Sequence, residues 1–163
     1  MIKGMKTIVF ALMTLASVGT TQAGDFFTDY ESAKKKAQED KKTLVVKFTG
    51  SDWCPPCKAL NKAIYSKKDF KAEVEKDFVV AVLDFPKTKK LPEGQLEKNQ
   101  AVRDEFGIRG YPTVLVISQK GKVLKKMVGY SYTPKEGEEG DERAEVKAYL
   151  KLLKNAAKAG RFL

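Results

Sequence analysis

Histidine is absent from all 163 residues, and only two cysteines are present, Cys54 and Cys57. A closed structural zinc site is built from roughly four Cys and His ligands, so two cysteines without any histidine effectively exclude one within the chain. Covalent haem attachment needs a histidine directly after the second cysteine, and Lys58 stands there. Arginine is scarce, with Arg103, Arg109, Arg143 and Arg161 against many scattered lysines interleaved with Asp and Glu. No basic stripe with stacking aromatics emerges, which argues against a nucleic-acid site and for a solvated basic surface that attracts acidic partners at long range. Long hydrophobic runs are missing as well. The longest uncharged apolar stretch, Ile8 to Val18, falls well short of the roughly 20 residues that cross a bilayer.

That stretch follows Lys3 and Lys6 and precedes Thr21-Gln22-Ala23. A charged start, a short apolar run and a small-residue end form the pattern of a secretory signal peptide over residues 1–23, with a single domain over 24–163. Removal of Lys3 and Lys6 lowers the net charge from +10 to +8. The processed protein is expected to be periplasmic or otherwise secreted, with no stable membrane insertion, and a monomer.

Along the domain, Thr28 and Glu31 have capping-box spacing and predict a helix running to about Lys41. Thr43 to Phe48 is a short β-branched run, as in a strand buried on both faces. A helix is expected to start at the cysteines and carry Leu60 and Ile64, and a second to restart at Ser66 with Phe70 and Val74 inward. Phe78 to Leu83 reads as a buried strand. A polar connection from Lys87 to Gly94 then leads to a helix with Val102 and Phe106 that ends at Gly107. Pro112 to Ser118 and Val123 to Val128 flank a turn at residues 119–121 and read as a hairpin. A Gly- and Glu-rich loop at 135–140 leads into a last amphipathic helix carrying Val146, Leu150 and Leu153. The order predicts an α/β fold with a mixed sheet of about four strands and helices on both faces.

Cys54-Pro55-Pro56-Cys57 sits where a strand gives way to a helix. Residues three apart share a helix face, so the two sulfurs can close a small disulfide. Partial positive charge at the helix start favours a thiolate at Cys54, the expected nucleophile, with Cys57 one turn deeper as the resolving thiol. Pro55 and Pro56 fit the first helical turn, yet remove two N–H donors from the thiolate. The backbone donors of Cys57 and Lys58 are the nearest that remain, and Cys54 is expected to be acidified only moderately. Trp53 is placed to shield the pair and to offer an apolar contact to a substrate chain. A purely structural staple is disfavoured because a four-residue loop constrains the unfolded chain little. Two thiolates holding Cu(I) stay open as an alternative.

Trp53-Cys54-Pro55-Pro56-Cys57-Lys58 resembles the active-site motif of the thioredoxin superfamily, and Gly110-Tyr111-Pro112-Thr113 is similar to that family's cis-proline segment. Gly129 is a weaker match. The resemblance covers about residues 42 to 157 and implies a thioredoxin fold. It also implies a cis Tyr111–Pro112 bond beside the cysteines, Tyr111 bordering a substrate groove, and thiol-disulfide exchange with protein disulfide or dithiol substrates. No organic cofactor or metal is implied, and electrons would pass to or from a partner protein. Two departures stand out. The family's buried acid before the motif is replaced by Lys47 or Phe48, and its first strand by a helical stretch over residues 24–42. These departures keep open a silent interaction module with the same fold. The direction of electron flow is not written in the motif.

Overall fold

The computed structural model describes residues 26–131 and 141–159. The leader-like segment 1–23 and the loop 135–140 lie outside the described residues. Four strands, β1 (Thr43–Thr49), β2 (Phe78–Asp84), β3 (Thr113–Ile117) and β4 (Val123–Val128), form one sheet in the order β2-β1-β3-β4. β1 runs parallel to β2 and antiparallel to β3, and β3 runs antiparallel to β4. The mixed sheet follows from the connections, since β1 and β2 are joined through helices whereas β3 and β4 are joined by a short turn.

Alternation along β1 divides the core in two. Leu44, Val46 and Phe48 face one side, where helix α1 (Tyr30–Glu39) contributes Tyr30, Ala33 and Ala37, and helix α4 (Gln95–Glu105) contributes Val102. Val45 faces the other side with Leu60, Ile64, Phe70, Val74, Val146, Leu150 and Leu153. Those residues come from α2 (Pro55–Leu60), a π-helical turn (Asn61–Tyr65), α3 (Lys68–Asp77) and α5 (Glu142–Ala159). Both faces of the central strands are covered, which is why these strands read as unbroken apolar runs.

Local details correct the sequence reading. The cap of α1 is Asp29, whose carboxylate accepts the Ser32 N–H, and not Thr28 in a capping box. One residue decides which side chain reaches the free amides, and an aspartate at the N-cap serves as well as a threonine. The α1 helix stops at Glu39. Ser66 does not cap α3; it closes the preceding turn by donating its hydroxyl to the Lys62 carbonyl, and Lys67 takes the N-cap with no side-chain bond. The helix that starts at the cysteines widens into the π turn after Leu60. The stretch before α1 is not wholly helical either: Phe27 makes a bridge to Ala81, with paired bonds between its peptide and Val80 and Val82. At the end of α4 the expected Gly107 adopts φ 56°, where a side chain would be strained.

Candidate active site

β1 and β3 are antiparallel neighbours with Phe48 paired to Thr113. The loop leaving β1 and the loop entering β3 therefore emerge at the same end of the sheet. The first carries Trp53 and Cys54 and the second carries Tyr111 and Pro112, so the topology alone brings the two sequence motifs together.

Cys54 is the N-cap of α2, with extended backbone at φ −94° and ψ 107°. Its N–H donates to the Gly50 carbonyl, and its carbonyl accepts the Lys58 N–H at 3.1 Å. One of the two donors expected to serve a thiolate is therefore already engaged by the backbone. Pro55 and Pro56 open the helix, where their missing N–H groups break no helical bond. Cys54 and Cys57 are joined in a disulfide with Cα atoms 5.2 Å apart. Cys57 is the deeper of the two, at 1% exposure against 3% for Cys54. Lys58 is exposed.

Cys54 Sγ lies 3.6 Å from the Tyr111 carbonyl oxygen. The following Tyr111–Pro112 peptide bond is cis, and Pro112 is buried. This loop is tied down by Thr113 Oγ1, which donates to the Gly110 carbonyl at 2.7 Å, and by Gly129, whose N–H donates to the Pro112 carbonyl at 2.8 Å. The half-buried Tyr111 ring stacks at a tilt on Phe85 and meets the Trp53 ring edge-on at 5.8 Å. Burial pushes the Tyr111 phenol up, with Arg103 acting in the opposite sense. Trp53 is held by its indole N–H, which donates to the Phe85 carbonyl at 2.8 Å, and it lies directly on Gly50. A Cβ at Gly50 would fall 2.5 Å from the indole, so this position requires glycine for space. The structure brings Trp53 against Tyr111 at the rim of the pair, with Trp53 37% exposed.

Two residues next to the motif escaped the sequence reading. Asp52 accepts the backbone N–H groups of Lys87, Thr88 and Lys89 and the Thr88 hydroxyl, which hold its carboxyl far below the usual carboxylate range. It anchors the loop after β2 beside Trp53. Asp84 accepts both the N–H and the hydroxyl of Ser51, fixing the start of the same loop. Their partners lie more than thirty residues away, and no local pattern announces such bonds.

Register also settles which residue replaces the family's acid. Phe48 packs on the α1 side against Phe85, whereas Lys47 turns to the α2 side. Lys47 is 1% exposed, its Nζ donating to Asn61 Oδ1 at 3.2 Å and lying 4.0 Å over the Tyr65 ring. Among the described residues no group of three or more Cys, Asp or Glu is arranged to hold a metal.

A disulfide closing the N-terminus of a helix, beside a cis-proline loop and on a sheet of order β2-β1-β3-β4, defines a thioredoxin-type protein. Residues 30–139 match the family model of the thioredoxin-like domain, and the chain belongs to that family. It is 32% identical to the disulfide bond reductase DsbH of Chlamydia pneumoniae over 98 residues, which are 60% of this chain and 59% of that protein. The thioredoxin-related protein DsbJ of the same organism is 25% identical over 134 residues, covering 77% of this chain and 38% of DsbJ. The chain thus spans less than two thirds of the length of either relative. A solved structure of a DsbH oxidoreductase superposes with a TM-score of 0.68 at 26% identity, covering 91% of this chain and 95% of that one.

Proposed function

We propose that this protein is an exported thiol-disulfide oxidoreductase that exchanges disulfides with protein substrates through Cys54 and Cys57. The observation that carries the reading is the position of Cys54 at the N-cap of α2, with its sulfur 3.6 Å from the Tyr111 carbonyl. A helix start favours the thiolate that attack requires. The Tyr111-Pro112 loop offers backbone at the edge of the pair, where an extended substrate segment can lie, and Trp53 and Tyr111 supply an apolar rim.

In the reducing direction the Cys54 thiolate attacks a substrate disulfide, one substrate sulfur leaves, and a mixed disulfide forms. Cys57 then attacks Cys54, releasing the second substrate sulfur and closing the internal disulfide. Run backwards, the same steps oxidise a dithiol. The reductase name carried by DsbH favours the reducing direction. With two cysteines in the sequence, regeneration of the dithiol requires a partner protein or an external thiol. Export is supported by the leader-like residues 1–23, and no helix among the described residues is long and apolar enough to cross a membrane.

Turnover of a disulfide-bonded test protein with a thiol reductant checks this reading. The wild-type protein should accelerate reduction and Cys54→Ala should not. Equal rates with and without the wild-type protein would sink the proposal.

A further inference from the structure

Lys47 is a buried cation whose contacts, the Asn61 amide and the Tyr65 ring, are neutral. Its ammonium has three donors, and the hydrogen bond it makes is to a neutral amide, Asn61. None of the ion pairs among the described residues includes it. Taking such a group out of water is costly unless a counter-charge answers it. Asp84 is the acid that acts on it electrostatically, but it forms no ion pair with Lys47 and its oxygens are held by the Ser51 N–H and hydroxyl.

The position of the ammonium supplies a reason. Asn61 follows Cys57 by one helical turn, so both lie on the face of the helix that Lys47 approaches. Lys47 and Cys57 also line the same open cleft of about 660 Å³. We propose that the Lys47 ammonium is the counter-ion of the Cys57 thiolate in the reduced protein. This rests on the exchange reaction proposed above.

In the resolving step the Cys57 thiol releases its proton to water in the cleft, and its thiolate is held beside Lys47. The thiolate attacks Cys54 Sγ in the mixed disulfide. The Cys54–Cys57 bond forms, the bond from Cys54 to the substrate sulfur breaks, and that sulfur leaves as a thiolate that takes a proton from solvent. Over the two exchange steps together the substrate gains two electrons and the cysteine pair loses them. Lys47 stays protonated and touches no reacting substrate atom; it is a positioning residue. Closing the disulfide strips it of its counter-ion, so by reciprocity the ammonium favours the dithiol over the disulfide.

Apart from Asp84, the other groups facing Lys47 act in the same sense or are neutral. Asp84 on β2 is the acid that opposes, while Tyr65 stays protonated because burial raises its phenol. Lys58 and Lys62 from the helix side and Lys89 and Lys90 from the loop after β2 line the cleft and add positive potential. In the disulfide form, burial brings Lys47 down to about 8.

Titration of the Lys47 side chain by NMR in oxidised and in dithiothreitol-reduced full-length protein tests the proposal, with K47M to assign the signal. The Lys47 midpoint should rise on reduction. In a Cys54→Ala background, K47M should lower the Cys57 thiolate fraction at pH 7 by about tenfold, the effect of one step in pKa. Near-UV circular dichroism confirms that the variant is folded, and K47Q replaces K47M should the latter not fold. An unmoved Lys47 midpoint, or an unchanged Cys57 titration in the folded variant, would overturn it. If the midpoint moves while the protein fails to reduce protein disulfides, the exchange reading fails and the charge pairing stands.

Discussion

The sulfur of Cys54 and the carbonyl oxygen of Tyr111 lie 3.6 Å apart across 57 positions of sequence. Pairing of Phe48 with Thr113 produces that approach, because antiparallel neighbours place the exit of β1 and the entry of β3 at one edge. Cys54, the Trp53 and Tyr111 rings and the backbone proposed to receive a substrate are thus fixed to the two most deeply buried strands.

Tyr111 contributes its ring as well as its carbonyl. Tyr111→Ala keeps the backbone oxygen but removes the contacts with Trp53 and Phe85. It should raise KM for an unfolded disulfide-bonded polypeptide more than it lowers kcat, with a stability loss of about 1 to 3 kcal/mol. Steady-state kinetics together with urea unfolding separate the two effects. Unchanged KM would remove Tyr111 from the substrate rim.

Gly50 is required for space. Adding a methyl group 2.5 Å from the indole forces either Trp53 or the backbone to move. Gly50→Ala should therefore cost about 1 to 3 kcal/mol, as overpacking does. Because Trp53 is the single tryptophan, its fluorescence reports the displacement directly. An unaltered spectrum at unaltered stability would contradict the packing described.

Asp52 makes the protein acid-sensitive. Its carboxyl is depressed below the ordinary value of 3.8 by the Thr88 and Lys87 N–H groups first, then by the Thr88 hydroxyl and Lys89. Below 3.8 the unfolded chain binds the extra proton before the folded one does. The stability Asp52 contributes is thus complete above that pH and lost as pH falls further. Asp52→Asn should be less stable at neutral pH and should lack that part of the acid loss, measured by denaturation between pH 7 and pH 2.

Lys47 should give a slope of the same sign in an alkaline window. Its folded value near 8 lies under its ordinary 10.5, so the unfolded chain holds more protons between the two. Stability of the oxidised protein should rise with pH across that window and stay flatter in Lys47→Met. At neutral pH that variant should be more stable by about 1 to 3 kcal/mol, since a buried charge without an ion-pair partner is replaced by an apolar group. Denaturation at several pH values decides this. A less stable variant would mean that Lys47 holds the fold together and is not a cost of function.

Much of this was legible in the sequence. Thr43 to Phe48 and Phe78 to Leu83 betray strands buried on both faces, and a lone cysteine pair with two prolines announces a helix start. Fine geometry was hidden for physical reasons. Thr28 and Asp29 are both competent caps, and a one-residue difference in helix start decides between them. Whether Lys47 or Phe48 turns to the side of the sheet that carries the cysteine helix is a matter of strand parity, which a single ambiguous loop residue reverses. The anchoring role of Asp52 and the bridge of Phe27 to Ala81 depend on partners far away in the chain. Widening of the helix at Asn61 has no sequence signature at all.

The central claim is that Cys54 attacks protein disulfides and Cys57 resolves the product. Mass spectrometry of Cys57→Ala incubated with an oxidised unfolded protein tests it most directly. A single covalent adduct through Cys54, released by dithiothreitol and absent in the Cys54→Ala protein, is the predicted result. No adduct under conditions where a free thiol reacts with the same substrate would contradict it.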